Sequence, residues 1–377
     1  MSGLMARPKL IVASSEASAD QLFGSGFRAP DAFAFVETDG KKFLLLSDLE
    51  VDRGRVEARG ARVDAYSEAE KTVQGGKKKK PPFARVVATW LRTHKVRSAL
   101  VPTDFPLGLA RALKRENVRL KPVKGAFWPE RERKTSAQIR SVSAALAIAE
   151  AGLERGIEVL RGATIRKDGQ LLLGRRLLTS EMLRTEIETA IVRAGGQSRG
   201  DSIVAGGEQA CDPHARGSGP LRAHELIILD VFPRDARTGY FGDITRTVVR
   251  GQATDAQRHL WETCLAGQKL AFSSIKPGNE GLAIHENIKE FFTAQGYPTE
   301  IRDGRWCGFF HGTGHGLGLD LHESPRFSEV TFLPGHVLTV EPGIYIPGLG
   351  GVRHEDVIVV TAKSHRILTK SAKPFEI

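Results

Sequence analysis

Over the first 130 residues, apolar and polar positions fall into short runs whose period switches between two and about 3.6. The stretch "AFAFVETDGKKFLLLSD" turns about Thr38-Asp39-Gly40. It predicts a β-hairpin, because Asp-Gly tolerates the positive φ that a tight hairpin turn requires. "FARVVATWLRTHKV" carries its apolar residues at helical spacing, and "SALVPTDF" predicts a short strand. Strands alternating with helices predict an α/β domain over residues 1–130.

The pattern changes at "VKGAFWPERERKTSAQ", where a proline and a charged run lead into a long amphipathic helix. Ile139, Val142, Leu146, Ala149, Leu153, Ile157 and Leu160 keep to one face of it. A domain boundary near Glu130 follows. A second helix, "LTSEMLRTEIETAIVRAGG", has Thr179 or Ser180 as N-cap and Gly195-Gly196 as its stop. "HELIILDVF" and "DITRTVVRG" read as strands across a polar turn, followed by helical "DAQRHLWETCLAGQKLAFSSI" and "EGLAIHENIKEFFTAQG". From Arg305 on, "HVLTVEPGIYI" and "GVRHEDVIVVT" each read as a strand. Residues 131–377 are therefore expected to form an α+β domain.

Composition narrows the class. The 377 residues are 41% hydrophobic and 26% charged, as in soluble globular proteins. Cys211, Cys264 and Cys307 are odd in number and lack metal-binding spacing, so neither a disulfide framework nor a zinc ribbon is expected and a reducing compartment fits. No signal-like run opens "MSGLMARPKLIVASSEASADQ", and no stretch approaches the roughly 20 apolar residues of a membrane span. The expectation is a cytoplasmic protein with no membrane partner. The net charge of +11 raises nucleic-acid binding, but the one dense run, Lys77 to Lys80, sits between glycines and prolines as a solvated loop would. No aromatic-interleaved basic motif accompanies it, so no nucleic-acid partner is expected.

Chemistry concentrates in "HGTGHGLGLDLHESP", where His311, His315 and His322 are interleaved with four glycines, Asp320 and Glu323. Glycine costs conformational entropy, so its accumulation marks demanding backbone geometry. Carboxylates stand in the apolar strands as well: Asp230 ends "LIILD", Glu341 interrupts "VLTVEPGIYI" and Glu355 interrupts "GVRHEDVIVV", while Asp243 in "YFGDITRTVV" heads the strand after the hairpin turn. Burying several carboxylates requires a compensating cation. Carboxylates with imidazole and no thiolate suit two divalent metals about 3.5–4 Å apart, sharing bridging carboxylates and a hydroxide for metal-assisted hydrolysis.

"DVFPRDARTGYFGDITRT", "HGTGHGLGLDLHE", "TVEPGIY" and "GVRHEDVIVV", in this order, resemble the catalytic domain of the pita-bread metallopeptidases, which include Xaa-Pro aminopeptidases, prolidases and methionine aminopeptidases. "DQLFGSGFRAPDAFAFVE" resembles the creatinase-related N-terminal domain of the proline-directed members. The resemblance implies that Asp230, Asp243, His315, Glu341 and Glu355 bind two divalent ions, manganese first, with cobalt, zinc or iron as alternatives. Asp243 and Glu355 would bridge them, and Glu341 would exchange a proton with the nucleophile. It further implies that His322 contacts the scissile carbonyl, His311 lines the proline-side pocket, His214 positions substrate and Arg353 supports the site. The implied activity is hydrolysis of the Xaa-Pro bond in dipeptides or at peptide N-termini, by a homodimer. Two other classes share the architecture: a creatinase-type hydrolase that works without metal, and a binding protein that has lost catalysis.

The sequence departs from the family at one place. The thirteen positions from Asp230 to Asp243 exceed the usual separation by two, and Phe232 stands where the family has glycine. An even shift preserves side-chain parity, so both aspartates are expected to face the same way, with Phe232 narrowing the pocket.

Overall fold

The computed structural model describes residues 7–58, 60–75 and 78–377. Residues 1–6 of the opening segment, and Gly76 and Lys77 of the lysine run, lie outside the described residues; Lys78 to Lys80 are exposed between two helices. The chain forms two compact units, Met1–Pro129 and Glu130–Ile377.

The first unit is built on a six-stranded sheet of β1 (Lys9–Ala13), β2 (Phe33–Thr38), β3 (Lys41–Leu46), β4 (Ala61–Ala65), β5 (Ser98–Val101) and β6 (Arg119–Pro122), in the order β4-β3-β2-β1-β5-β6. The predicted hairpin joins β2 to β3 through Asp39 and Gly40, both at positive φ. Helices α1 (Ala19–Ser25), α2 (Val51–Glu57), α3 (Tyr66–Gln74), α4 (Phe83–Thr93) and α5 (Leu107–Arg115) accompany it. Two apolar clusters form its core, one around Leu10, Val36, Trp90 and Leu91, the other around Phe27, Phe35, Leu44 and Trp128.

The second unit opens with α6 (Ser136–Gly162), closed at its start by a capping box in which the Thr135 hydroxyl accepts from Gln138 N and the Gln138 side chain accepts from Thr135 N. The capping box satisfies two otherwise orphaned donors. Val142, Leu146, Ala149, Leu153 and Leu160 on its predicted face are buried. Gly152 and Gly156 allow α7 (Ser180–Arg193) to approach closely, since a Cβ at either would come within 3 Å of Ile191 or Ile187. Thr179 is the N-cap of α7, accepting from Met182 N.

Short strands β7 (Thr164–Ile165), β8 (Leu171–Leu173) and β9 (Arg176–Leu177) form one small sheet, and β10 (Gly196–Gln197) pairs with β13 (Arg234–Asp235). Two larger sheets hold the chemistry. The first is β11 (Ile203–Gly206), β12 (Leu226–Val231) and β14 (Ile244–Val249). The second runs β18 (Glu323–Arg326), β17 (His315–Gly316), β19 (Val337–Val340), β22 (Asp356–Val360), β23 (His365–Ile367). Helices α8 (Asp255–Ser274) and α9 (Gly281–Ala294), the β15 (Glu300–Arg302) and β16 (Arg305–Cys307) hairpin, and the pair β20 (Gly343–Ile346) and β21 (Gly350–Arg353) complete the unit.

The last two segments differ from the sequence expectation. "HVLTVEPGIYI" and "GVRHEDVIVVT" are not single strands: each breaks in two, at Glu341-Pro342 and at His354-Glu355. On one side of each break the chain belongs to the five-stranded sheet, on the other to the β20–β21 pair. Each acidic residue sits at the switch between sheets, directly beside the last rung of the β19–β22 ladder, where Val340 pairs with Asp356. Among the described residues, no helix is long and apolar enough to cross a membrane, and all three cysteines are buried free thiols.

Candidate metal centre and substrate cleft

In the β12–β14 ladder Asp230 opposes Thr245 and Val231 opposes Ile244. Opposed residues share a face and the side-chain period is two, so Asp230, Thr245 and Asp243 point the same way. The residues between Val231 and Ile244 lie beyond this register. Arg234 bridges to Phe241, and Asp235 closes the turn by accepting from Arg237 N at 2.9 Å and Thr238 Oγ1 at 2.6 Å. Both aspartates keep a common face, and the connection between them closes in the turn at Asp235.

His315 reaches the same place from the glycine-rich segment. A Cβ at Gly314 would lie 2.1 Å from Thr339 O, and one at Gly316 2.6 Å from Ser324 O, so close backbone approach is what these two glycines provide. His315 N donates to Thr339 Oγ1 at 3.0 Å, and that hydroxyl donates to Glu341 Oε1 at 2.9 Å. Glu341 N in turn donates to Thr313 O at 2.8 Å. The imidazole Nδ1 lies 3.1 Å from the Gly316 carbonyl, which can only accept. The Nδ1 proton therefore faces that carbonyl and Nε2 points inward, where burial would lower the His315 pKa but the hydrogen bond and charge of Glu341 outweigh it and raise it. Nε2 is 3.2 Å from Glu341 Oε1 and 3.7 Å from Asp243 Oδ2. A proton on Nε2 serves these carboxylates here, and a metal ion bound by Nε2 would take its place.

Asp243, His315 and Glu355 each offer one ligand atom, all within 4.8 Å of one another. Asp230 Oδ1 and Glu355 Oε1 are buried without a hydrogen-bond partner. The charges are correspondingly unsettled. Burial, and then Glu355 and Asp230, push Asp243 well above the carboxylate range. Burial, and then Glu341 and Asp230, do the same to Glu355. Burial also raises Asp230, against the pull of Arg353. Glu341 goes the other way: burial would raise it, but the hydrogen bond and charge of His315 bring it down to about 2. Like charges packed at this distance are tolerable only when neutralised. Orphaned oxygens, an oxygen-rich donor set and one imidazole with Nε2 aimed inward together fit divalent metal.

A cavity of about 660 Å³ opens over this group. Every site residue named from the sequence lines it: the five acidic and imidazole groups, and His214, His311, His322 and Arg353. His214 is exposed, on a loop where its N–H donates to Asp212 Oδ1 at 3.1 Å. His311 Nε2 lies 2.9 Å from the Tyr345 hydroxyl, and burial pushes its pKa down to about 4. The His322 ring stands edge-on to His315 at 4.3 Å. Arg353 donates to Asp230 Oδ2 at 2.7 Å and to the Tyr345 hydroxyl at 2.8 Å, which makes it a brace between carboxylate and phenol.

Sequence reasoning missed Thr245, whose hydroxyl donates to Glu355 Oε2 at 2.7 Å, and Thr339 and Tyr345. It also missed Phe310 and Arg326 on the cavity wall. Thr245 carried a usable signal, lying two residues past Asp243 and hence on its face. Tyr345 and Arg326 carried none, because their roles depend on contacts across sheets.

The fold and this donor set define a metallopeptidase of the pita-bread class. Residues 140–362 match the model of metallopeptidase family M24, and the chain belongs to that family. It is 41% identical over 177 residues to the uncharacterised peptidase YqhT of Bacillus subtilis, covering 46% of this chain and 47% of that one. It is 36% identical over 177 residues to the Xaa-Pro dipeptidase of Pyrococcus furiosus, covering 46% and 48%. The aligned stretch thus spans about half the length of these curated relatives. The fold matches a solved X-Pro aminopeptidase of Thermotoga maritima with a TM-score of 0.82 at 22% identity, over 98% of this chain and 97% of that one.

Proposed function

We propose that this chain is a dinuclear metal-dependent peptidase that hydrolyses the bond between an N-terminal residue and a following proline. The observation that carries the reading is the buried gathering of Asp243, His315 and Glu355 within 4.8 Å, beside orphaned oxygens of Asp230 and Glu355. Asp230, Asp243, His315, Glu341 and Glu355 would hold the metals. Two divalent ions bound there would polarise the scissile carbonyl and acidify the attacking water.

The remaining work falls to the protein. Glu341, held by the Thr339 hydroxyl, takes a proton as water oxygen adds to the carbonyl carbon. It returns that proton to the proline nitrogen as the C–N bond breaks. His322 donates to the oxygen that gains charge in the tetrahedral intermediate. His311, fixed on Tyr345, lines the proline side, and His214 approaches substrate from the facing loop. Arg353 keeps Asp230 and Tyr345 in register.

The cleft also has a direction. Ile203, Phe232 and Phe310 make an apolar wall beside Asp230, and Arg326 lies with Leu321 and His322 on the other strand system. A substrate's free amine suits the carboxylate end and its free carboxylate suits Arg326. The first residue's side chain then meets Phe232, which favours small or medium apolar residues. Manganese as the first metal, a cytoplasmic location and a homodimer belong to the same reading, each open to direct measurement by metal analysis, fractionation and light scattering.

Cleavage of an Xaa-Pro dipeptide, an Xaa-Pro-Yaa tripeptide and a Met-Ala-Yaa peptide, with manganese and after chelation, tests the proposal. Metal-dependent cleavage of the proline substrates is expected. Full activity after exhaustive chelation would instead indicate metal-free, creatinase-type chemistry.

A further inference from the structure

Lys134 and Glu323 are 189 residues apart in the chain, yet Lys134 Nζ donates to Glu323 Oε1 at 2.6 Å, with side chains only 3% and 7% exposed. The other carboxylate oxygen, Oε2, accepts from Arg131 Nη2 at 2.5 Å and from Asp320 N at 3.3 Å. Arg131 Nη2 also donates to Asp320 Oδ2 at 2.7 Å. Burial pushes Lys134 below its ordinary range, and the charge of Glu323 pushes back.

The cationic side of this cluster is anchored. Lys134 N donates to Gly335 O at 2.7 Å, Arg133 Nε donates to Pro334 O at 3.1 Å, and Arg133 bridges to His336, immediately before β19. The anionic side is the residue that follows His322. Glu323 opposes Gly316, the neighbour of His315. A Cβ on Gly318 would lie 2.2 Å from Glu323 Oε1, so the loop carrying His322 folds directly onto this carboxylate. Among the described residues, no hydrogen bond holds the His322 ring, which stands edge-on to His315 at 4.3 Å. With no hydrogen bond to fix the ring, its aim depends on its backbone, which Glu323, the next residue, ties down.

A buried ion pair is a poor source of net stability compared with an apolar pair of the same shape, and a good means of fixing geometry. We infer that the Lys134–Glu323–Arg131 clamp is a positioning device for His322, one that holds its imidazole where the scissile carbonyl is proposed to lie. Lys134 and Glu323 are positioning residues that touch no substrate. The inference rests on the proposed role of His322, but its primary test does not require activity.

The test is NMR of metal-stripped, ¹³C-histidine-labelled protein, with the His322 Cε1–Hε1 signal assigned by its loss in His322→Gln. In Lys134→Met and in the near-isosteric Glu323→Gln this signal should shift or broaden while that of His365 stays fixed, and Lys134→Arg should restore it. Kinetics on an Ala-Pro dipeptide should show kcat reduced by about 10- to 100-fold, the scale of a misplacement near 1 Å. KM and metal content should hardly change. Lys134→Met combined with His322→Gln should be no slower than His322→Gln alone. An unchanged His322 signal in both variants, or losses that multiply in the double variant, would overturn the inference. A wild-type chain that cleaves no Xaa-Pro substrate would sink the proposed function while the NMR still decides the clamp.

Discussion

Glu355 and Asp356 follow one another in the chain and are each 2% exposed, but their surroundings differ completely. Asp356 Oδ1 accepts from Arg246 at 2.8 Å and Thr369 at 2.7 Å, and Oδ2 accepts from Lys373 at 2.5 Å and Gln268 at 3.1 Å. Burial would raise its pKa, but Arg246 and Lys373 more than offset that and lower it. Glu355 receives one hydroxyl, leaves Oε1 bare and sits among Glu341 and Asp230. One carboxylate is satisfied by the chain's own cations. The other, one residue earlier, leaves an oxygen unpartnered, which on the proposed reading an external cation completes. The contrast teaches that burial alone does not single out a candidate ligand; the missing partner does.

Breaking the functional side should give the largest effect. Glu341→Gln removes the proton acceptor and should cut kcat by about 10²- to 10⁴-fold in steady-state assays of Xaa-Pro hydrolysis. Next comes the contrast itself, measured by denaturant unfolding of metal-free protein. Asp356→Asn strands buried Arg246 and should cost about 3–5 kcal/mol, whereas Glu355→Gln removes a like-charge conflict and should leave stability equal or higher. Equal losses in the two variants would erase the distinction.

The pH dependence sharpens it further. Asp243 and Glu355 have folded pKa values raised well above the ordinary ones. Their contribution is complete below the unfolded carboxylate range, about pH 4, and drains away as pH rises through the folded values. Asp356, with a lowered pKa, contributes above about pH 3.9 and is lost only as pH falls through its folded value. Metal-free protein should therefore lose thermal stability as pH rises above the ordinary carboxylate range, with a flatter slope in Glu355→Gln. Divalent metal at about 100 times its Kd should restore roughly 2.7 kcal/mol. The smallest effect belongs to Arg326→Gln, which should raise KM for an Xaa-Pro dipeptide by about tenfold, the worth of one charge-assisted contact. An Xaa-Pro-Yaa amide, lacking the free carboxylate, should be unaffected.

Much of this was legible in the sequence, for local reasons. The Asp39-Gly40 hairpin, the apolar face of α6 and the Thr179 cap follow from residues within one turn of each other. The acidic residues stood out because each stood inside or at the edge of an apolar strand, and the even insertion before Asp243 allowed parity to be predicted. What escaped depended on distant partners. The two C-terminal strands looked continuous because apolar alternation carries on through Glu341 and Glu355 while the hydrogen-bonded neighbours change. The Arg246–Asp356 pair spans 110 residues and the Lys134–Glu323 pair 189, distances over which a single sequence has no periodic signal. Tyr345 read as a plain strand aromatic, and only the fold shows its hydroxyl between His311 and Arg353.

The most direct test is calorimetric titration of manganese into stripped protein, with Xaa-Pro dipeptide hydrolysis assayed on the same samples. Binding should be accompanied by proton release, with hydrolysis rising in step with occupancy, and both should be lost in Asp243→Asn. A stripped protein that takes up no metal, or one that hydrolyses the dipeptide at its full rate without it, would contradict the account.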